Sequence, residues 1–217
     1  MLASVTGVAT STVGVLGNLV LVVFGGLYLA AQPGLYRDGL VKLAPPAARP
    51  SLVDTLDASG DALRRWLLGQ LVSMTVAAVL TTLGLWLLGL PAYLALGLLA
   101  GLAEFVPVVG SILAAAPALL LALTEGGIDL ALWTLLLYVA VQQLQGNLIA
   151  PLVTRRMVSL PPAVTLVAIV AFGLVFGPLG VLFAAPLAVV AFVAVKRLWV
   201  REALGEDTDV PGEDAKA

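Results

Sequence analysis

Apolar residues run along this chain in stretches too long for the core of a soluble domain, and short polar interruptions between them set its architecture. The stretches cover roughly residues 5–31, 67–90, 92–105, 108–124, 130–150, 162–176 and 179–195. Three of them (5–31, 67–90 and 130–150) are long enough, at about 1.5 Å per residue, to cross a hydrocarbon core of roughly 30 Å. They predict transmembrane helices. The other four form two pairs, divided by FVPVVG at 105–110 and FGPLG at 176–180. Each arm reaches only about 21 to 26 Å, short of a comfortable crossing. Broken or re-entrant helical hairpins are expected there.

Between the first two long stretches lies QPGLYRDGLVKLAPPAARP (32–50), rich in turn residues. Pro50 and Ser51 then open a new helix, with Ser51 and Asp54 in a capping-box-like spacing. Leu52, Leu56, Leu63, Trp66 and Leu67 recur at helical spacing opposite Asp57, Asp61 and Arg65. This predicts an interfacial amphipathic helix with a solvated acidic face. The small and hydroxyl residues Thr6, Thr10, Ser11, Thr12, Gly14, Gly17 and Asn18 of the first stretch read as a tightly packed helix face.

All eleven Lys and Arg residues fall in three places: Arg37 to Arg65, Arg155 with Arg156, and Lys196 onward. Positive charge concentrates in cytoplasmic loops, so these three segments are expected inside. Pro91 and the acidic loop TEGGID (124–129) are then expected outside. The first hairpin must begin and end outside, and the second inside. Their sequences also correspond: Phe105, Pro107, Gly110 and Pro117 in one, Phe176, Pro178, Gly180 and Pro186 in the other. Each hairpin follows one full span, in opposite orientation, which is the pattern of an inverted-topology repeat with Gly/Pro-interrupted segments at corresponding positions.

Composition agrees with a membrane protein: 61% of residues are hydrophobic and 11% charged, against roughly 25% charged in soluble domains. The net charge of −2 and an acidic tail give nucleic acid no footing as a partner. With no cysteine and no histidine, disulfides, thiolate metal centres, Ser-His nucleophiles and HExxH zinc sites are all excluded. No Walker A motif is present, no pair of intramembrane Asp residues is available, and Ser111 has no base to activate it. No enzyme activity and no cofactor are expected. A cleaved leader is not expected either, since MLASVTG lacks a basic n-region.

Glu104 is the only ionisable residue between Leu67 and Leu123, immediately before the FVPVVG break. A carboxylate near the bilayer centre costs about 2.5 to 3.5 kcal/mol on insertion scales, so it faces a cavity or a partner unless the hairpin tip reaches the headgroups. A second polar cluster, YVAVQQLQGNLIAP, places Gln142 and Gln145 on a face with Gly146, and Gln143 four residues from Asn147. Its amides suit a polar small molecule or a desolvated cation, or hydrogen bonds between helices.

The runs GLLAGLAEFVPVVGSILAAAPAL, VQQLQGNLIAPLV and LPPAVTLVAIVAFGLVFGPLGVLFAAPLAVV together resemble the autoinducer-2 exporter family of bacterial inner-membrane permeases, the PerM-like proteins. The resemblance extends over about residues 14 to 196. It implies a multi-span transporter of small signals such as autoinducer-2, or of cations exchanged for protons. Carried over by motif, Glu104, Pro107 and Gly110 form the first hairpin tip, Gln142, Gln143, Gly146, Asn147 and Pro151 the polar span, and Gly177, Gly180 and Pro186 the second tip. Gln145 stands where the family commonly has Glu, and Arg155 and Pro161 replace its frequent Gly and His. Family members usually carry two further N-terminal spans, so a short member or a fragment is expected.

The chain is therefore expected to be an all-α polytopic protein of the bacterial inner membrane, with its C-terminus cytoplasmic. Residues 1–66 would form a scaffold, 67–199 a transport unit of two span-plus-hairpin repeats (67–124 and 130–197), and 200–217 a disordered acidic tail. Glu104, Gln142, Gln143, Gln145 and Asn147 are the candidate solute or ion ligands. Pro107, Gly110, Gly177, Pro178, Gly180 and Pro186 are the hairpin breaks, with Pro151 closing the polar span. Lipids, a small polar solute or monovalent cation, protons and further copies of the chain are the expected partners. The alternative is a membrane scaffold in which the breaks merely kink packed helices.

Overall fold

The computed structural model describes residues 24–107, 109–149 and 161–213. Most of the first apolar stretch, together with Pro151, Arg155 and Arg156, lies outside them. Among the described residues the structure is helical with no strand, and three helices are long and apolar enough to cross a membrane: Pro46–Leu87, Val109–Asn147 and Ala163–Ala203.

Contacts divide the chain into two compact units, Met1–Leu56 and Asp57–Ala217. In the first, residues 24–31 are helical and Pro33 starts α1 (Pro33–Leu43), where its missing N–H costs nothing. α1 buries none of its residues. Arg49 donates from Nε to the carbonyl of Ala44, the residue that ends α1, so the guanidinium satisfies a terminal acceptor. α2 begins at Arg49, one residue before the start that Pro50 and Ser51 predict.

α2 (Arg49–Leu87) then continues as one helix of 39 residues, about 58 Å long at 1.5 Å per residue. The amphipathic helix and the span expected from Leu67 are thus a single element, because no proline occurs between Pro50 and Pro91 to divide them. The boundary drawn at residue 66 falls inside it. Asp57 and Asp61 are exposed as expected, but the face buried in the second unit is that of Ala58, Ser59 and Ala62 rather than of the leucines.

In the second unit a tight turn at Leu88–Ala92 leads into α3 (Tyr93–Ala103), and after the break α4 (Val109–Leu144) follows. α4 is two helices parted by a non-helical joint at Gly126 and Gly127, where the acidic loop was expected, and the second folds back on the first so that Tyr138 reaches Ala114. A π-helical turn, Gln145–Ile149, ends it. Leu85 and Leu90, Leu96 and Ala100 of α3, and Ala114, Ala118, Ala122 and Tyr138 of α4 form one core. α3 meets α2 where it has no side chains: a methyl at Gly97 would fall on Thr82, and one at Gly101 on Ala78 and the Met74 carbonyl. Such close approach replaces hydrophobic driving force inside a bilayer. Tyr138 donates its hydroxyl to the Ala114 carbonyl at 3.2 Å, in the turn that Pro117 disturbs.

α5 (Pro162–Ala194) is also two helices, parted at Gly177 with φ 64°. Its arms pack through Ala168, Ile169, Ala184 and Ala188, with Phe172 and Val181 beside them. The helical path continues through wider turns, Val195–Ala203. Residues 204–213, for which composition favours disorder, are instead laid against α2 and α5: Val210 is buried with Ala58, Ala62, Val189 and Val193. Val210, the buried apolar side chain there, finds small residues to sit on, and hydrogen bonds from basic side chains hold the segment on both sides of it. The three spans bury only 22%, 17% and 17% of their most apolar windows, so most of their surface is left for lipid or other chains.

Candidate functional site

The break between α3 and α4 is built by the last turn of α3. Glu104 ends the helix in αR geometry, its N–H still bonded to the Ala100 carbonyl. Phe105 and Val106 then bond one residue shorter, to Leu102 and Ala103, which tightens the turn before Pro107 stops it. Gly110 opens α4 under the Ala103 carbonyl, where a methyl group would collide with the oxygen. Glu104, Pro107 and Gly110 are therefore brought together as the spacing predicts.

Glu104 is 5% exposed. It lies between the carbonyl end of α3 and the amide end of α4, whose partial charges oppose each other across the break. No hydrogen bond or ion pair to its carboxylate is found among the described residues. Two neighbours from α2 were not foreseen. Gln70, itself buried, donates from Nε2 to the Glu104 backbone carbonyl at 2.6 Å, satisfying an acceptor that the end of α3 leaves open. One turn before it, Trp66 meets Phe105 edge to face at 6.0 Å and 82°. The signal for Gln70 was present in the sequence: it is the only amide between Leu67 and Leu90.

The second hairpin repeats the device. Gly177 takes the left-handed turn, Pro178 begins the second arm, and Gly180 lies buried where a methyl would strike the Phe172 carbonyl. Pro186 sits half-buried farther along that arm. The first tip also touches the second hairpin, since Val106 and Val109 pack against the Ala168, Ile169, Ala184 and Ala188 cluster of its arms.

The expected amide cluster is only partly assembled. Gln145 is buried within the π-helical turn and Gln142 is half-buried, but Gln143 and Asn147 are exposed. Gln142 and Gln145 thus share a covered side and Gln143 and Asn147 an exposed one. No hydrogen bond among the described residues joins these amides to Glu104. Nor do the described residues include a group of three or more acidic side chains able to hold a metal ion.

Spanning helices joined through proline- and glycine-built hairpins, with a carboxylate buried at one break, define a polytopic helical membrane protein. The family model for the AI-2E family transporters matches residues 1–199, and the chain belongs to that family. It is 34% identical over 189 residues to the Mycobacterium tuberculosis protein named "Putative transport protein MT0215", covering 85% of this chain and 48% of that one. The Escherichia coli AI-2 transport protein TqsA is 30% identical over 131 residues, 58% of this chain and 38% of TqsA. The Escherichia coli protein named "Putative permease PerM" is 33% identical over 121 residues, 55% of this chain and 34% of its own. The chain spans about half the length, or less, of these relatives.

Proposed function

We propose that this chain provides the solute-handling part of a secondary transporter in the bacterial inner membrane, working by alternating access. The observation that carries this reading is the burial of Glu104 at the break of a hairpin whose tip touches the second hairpin. A carboxylate held there at a cost of about 2.5 to 3.5 kcal/mol is retained for what it binds. Both hairpins are re-entrant in this reading, and the two span-plus-hairpin segments are an inverted repeat, supported by the glycine-under-carbonyl packing common to both tips. The C-terminus is cytoplasmic, in line with Lys196, Arg197 and Arg201 at the end of α5.

The transported species is a small polar solute of the autoinducer-2 kind, or a monovalent cation exchanged for protons. Glu104 takes the cation or proton, and Gln145 and Gln142 supply neutral donors and acceptors on the path. TqsA, which bears the name of an AI-2 transport protein, supports the first substrate class. Self-association through the exposed faces of the spans completes the assembly. The test is flux in proteoliposomes of the purified chain and Glu104→Gln under an imposed pH gradient, reading autoinducer-2, internal sodium and internal pH. Flux that requires Glu104 is expected. Flux that survives the substitution unchanged removes Glu104 from the mechanism.

A further inference from the structure

The segment after α5 is held by more contacts than a tail needs. Lys196 donates from Nζ to the Asp209 carbonyl at 2.8 Å, and Arg201 from Nη2 to the Thr208 carbonyl at 2.6 Å. The Glu213 carboxylate receives Arg197 on one oxygen and Arg201, at 2.7 Å, on the other. Three cations on the end of one helix thus grip an acidic segment at Thr208, Asp209 and Glu213.

Between these grips Val210 is buried among Ala58 and Ala62 of α2 and Val189 and Val193 of α5, with Trp66 against the same cluster. Gly212 follows with φ 95° and lies so close to the Ala58 carbonyl that a methyl group there would overlap it. The segment therefore wedges between α2, ahead of the first repeat, and the second arm of α5. Trp66 carries the contact onward, because it also meets Phe105, next to Glu104.

We propose that residues 204–213 are a salt-sensitive latch: the pairing of Glu213 with Arg197 and Arg201 keeps Val210 seated, pinning the end of the second hairpin to α2 below the first hairpin's tip, and its release lets the hairpins move. The charged groups are partly exposed, with side-chain exposures of 15% to 34%. Exposed pairs contribute little singly and are screened by salt, whereas one carboxylate shared by two guanidiniums makes stronger, charge-assisted bonds. The balance suits a device that holds and lets go, rather than a permanent tie. The movement it restrains rests on the transport reading above; the latch itself does not.

Because the chain contains no cysteine, Val210→Cys is a unique reporter of seating. Its rate of reaction with a water-soluble maleimide is read in proteoliposomes, in the parent and with Glu213→Gln, Glu213→Arg or the exposed control Asp207→Asn added, while flux is followed as above. Labelling is expected to be slow in the parent, several-fold faster with Glu213→Gln or in molar salt, about tenfold faster with Glu213→Arg, and unchanged with Asp207→Asn. Flux is expected to rise at least twofold with Glu213→Arg. Equal labelling in all variants, or equal acceleration by Asp207→Asn, overturns the latch. Faster labelling with unchanged flux overturns its control of movement. A parent with no flux defeats the transport reading instead, and the labelling series still decides whether the latch exists.

Discussion

Gly110 and Gly180 occupy equivalent places in the two hairpins, each in the first turn of a second arm and each beneath a carbonyl of the first arm, that of Ala103 in one case and of Phe172 in the other. The backbones of the two breaks are thus alike, but their surroundings differ. The first tip carries Glu104, is tied to α2 by Gln70 and Trp66, and is covered. The second carries no ionisable group, and its Phe176, stacked on Phe172 at 6.2 Å, is 62% exposed. A shared backbone device with chemistry on one side only separates what the fold requires from what the function requires.

The largest expected effect tests the shared part. Gly110→Val and Gly180→Val each place a branched side chain on a backbone carbonyl that cannot rotate away. Overpacking usually costs about 1 to 3 kcal/mol, and a rigid backbone target puts both at the upper end of that range. Unfolding in detergent micelles, followed by circular dichroism, is expected to show similar losses for the two. A loss at Gly110 alone would mean that the second hairpin opens freely, and the structural equivalence would fail.

Glu104→Gln separates the hairpins by function. Removing the only charge in that interior is expected to leave stability unchanged or slightly higher, since a buried ionised carboxylate is a cost, while flux falls at least tenfold. Phe176→Leu at the corresponding tip is expected to alter flux less than twofold. Equal losses in the two variants would assign the effect to hairpin packing and not to the carboxylate.

What could be read from the sequence follows the same division. Proline and glycine act through local backbone geometry, so the hairpin arms expected at 92–105 and 162–176 end within two residues of the observed α3 and of the Gly177 break. The Gly126 and Gly127 joint lies within the expected TEGGID loop. Side-chain neighbours depend on which helices meet, and there the pattern was less informative. The leucines of the amphipathic segment outweigh Ala58 and Ala62 in any hydrophobic periodicity, yet the small residues are the ones on which Val210 and Gly212 settle. Nothing in an acidic, Gly/Pro-containing tail announces Val210 as a contact.

Gln70→Leu probes the tie that only the first hairpin has. The substitution leaves the Glu104 carbonyl without its donor, which in water-based measurements costs about 1 to 3 kcal/mol. Between membrane helices the average is nearer 0.6 kcal/mol and the maximum about 1.7. A loss close to 1 kcal/mol is therefore expected in micelle unfolding. Because the bond fixes the residue that bears the carboxylate, flux is expected to fall about threefold to tenfold, out of proportion to the stability change. A flux loss no greater than that of Phe176→Leu would show that Gln70 is packing alone.

The smallest effect on flux belongs to Gly177, and it tests whether the second tip is as open as its exposure implies. Its φ of 64° disfavours a side chain, but no atom lies within 4 Å of where a Cβ would be. Gly177→Ala therefore meets only backbone strain, about 1 to 3 kcal/mol, because φ 64° with ψ −147° lies in a region essentially confined to glycine. Part of that is offset by the lower conformational freedom of alanine in the unfolded chain, about 0.4 to 1 kcal/mol. The net loss expected in micelle unfolding is about 0.5 to 2 kcal/mol, with flux within twofold of the parent. Comparison with Gly180→Val, three residues farther on, makes the result decisive. If Gly177→Ala costs as much, the space around Gly177 is filled in the assembled protein, and the second tip, like the first, is a covered site.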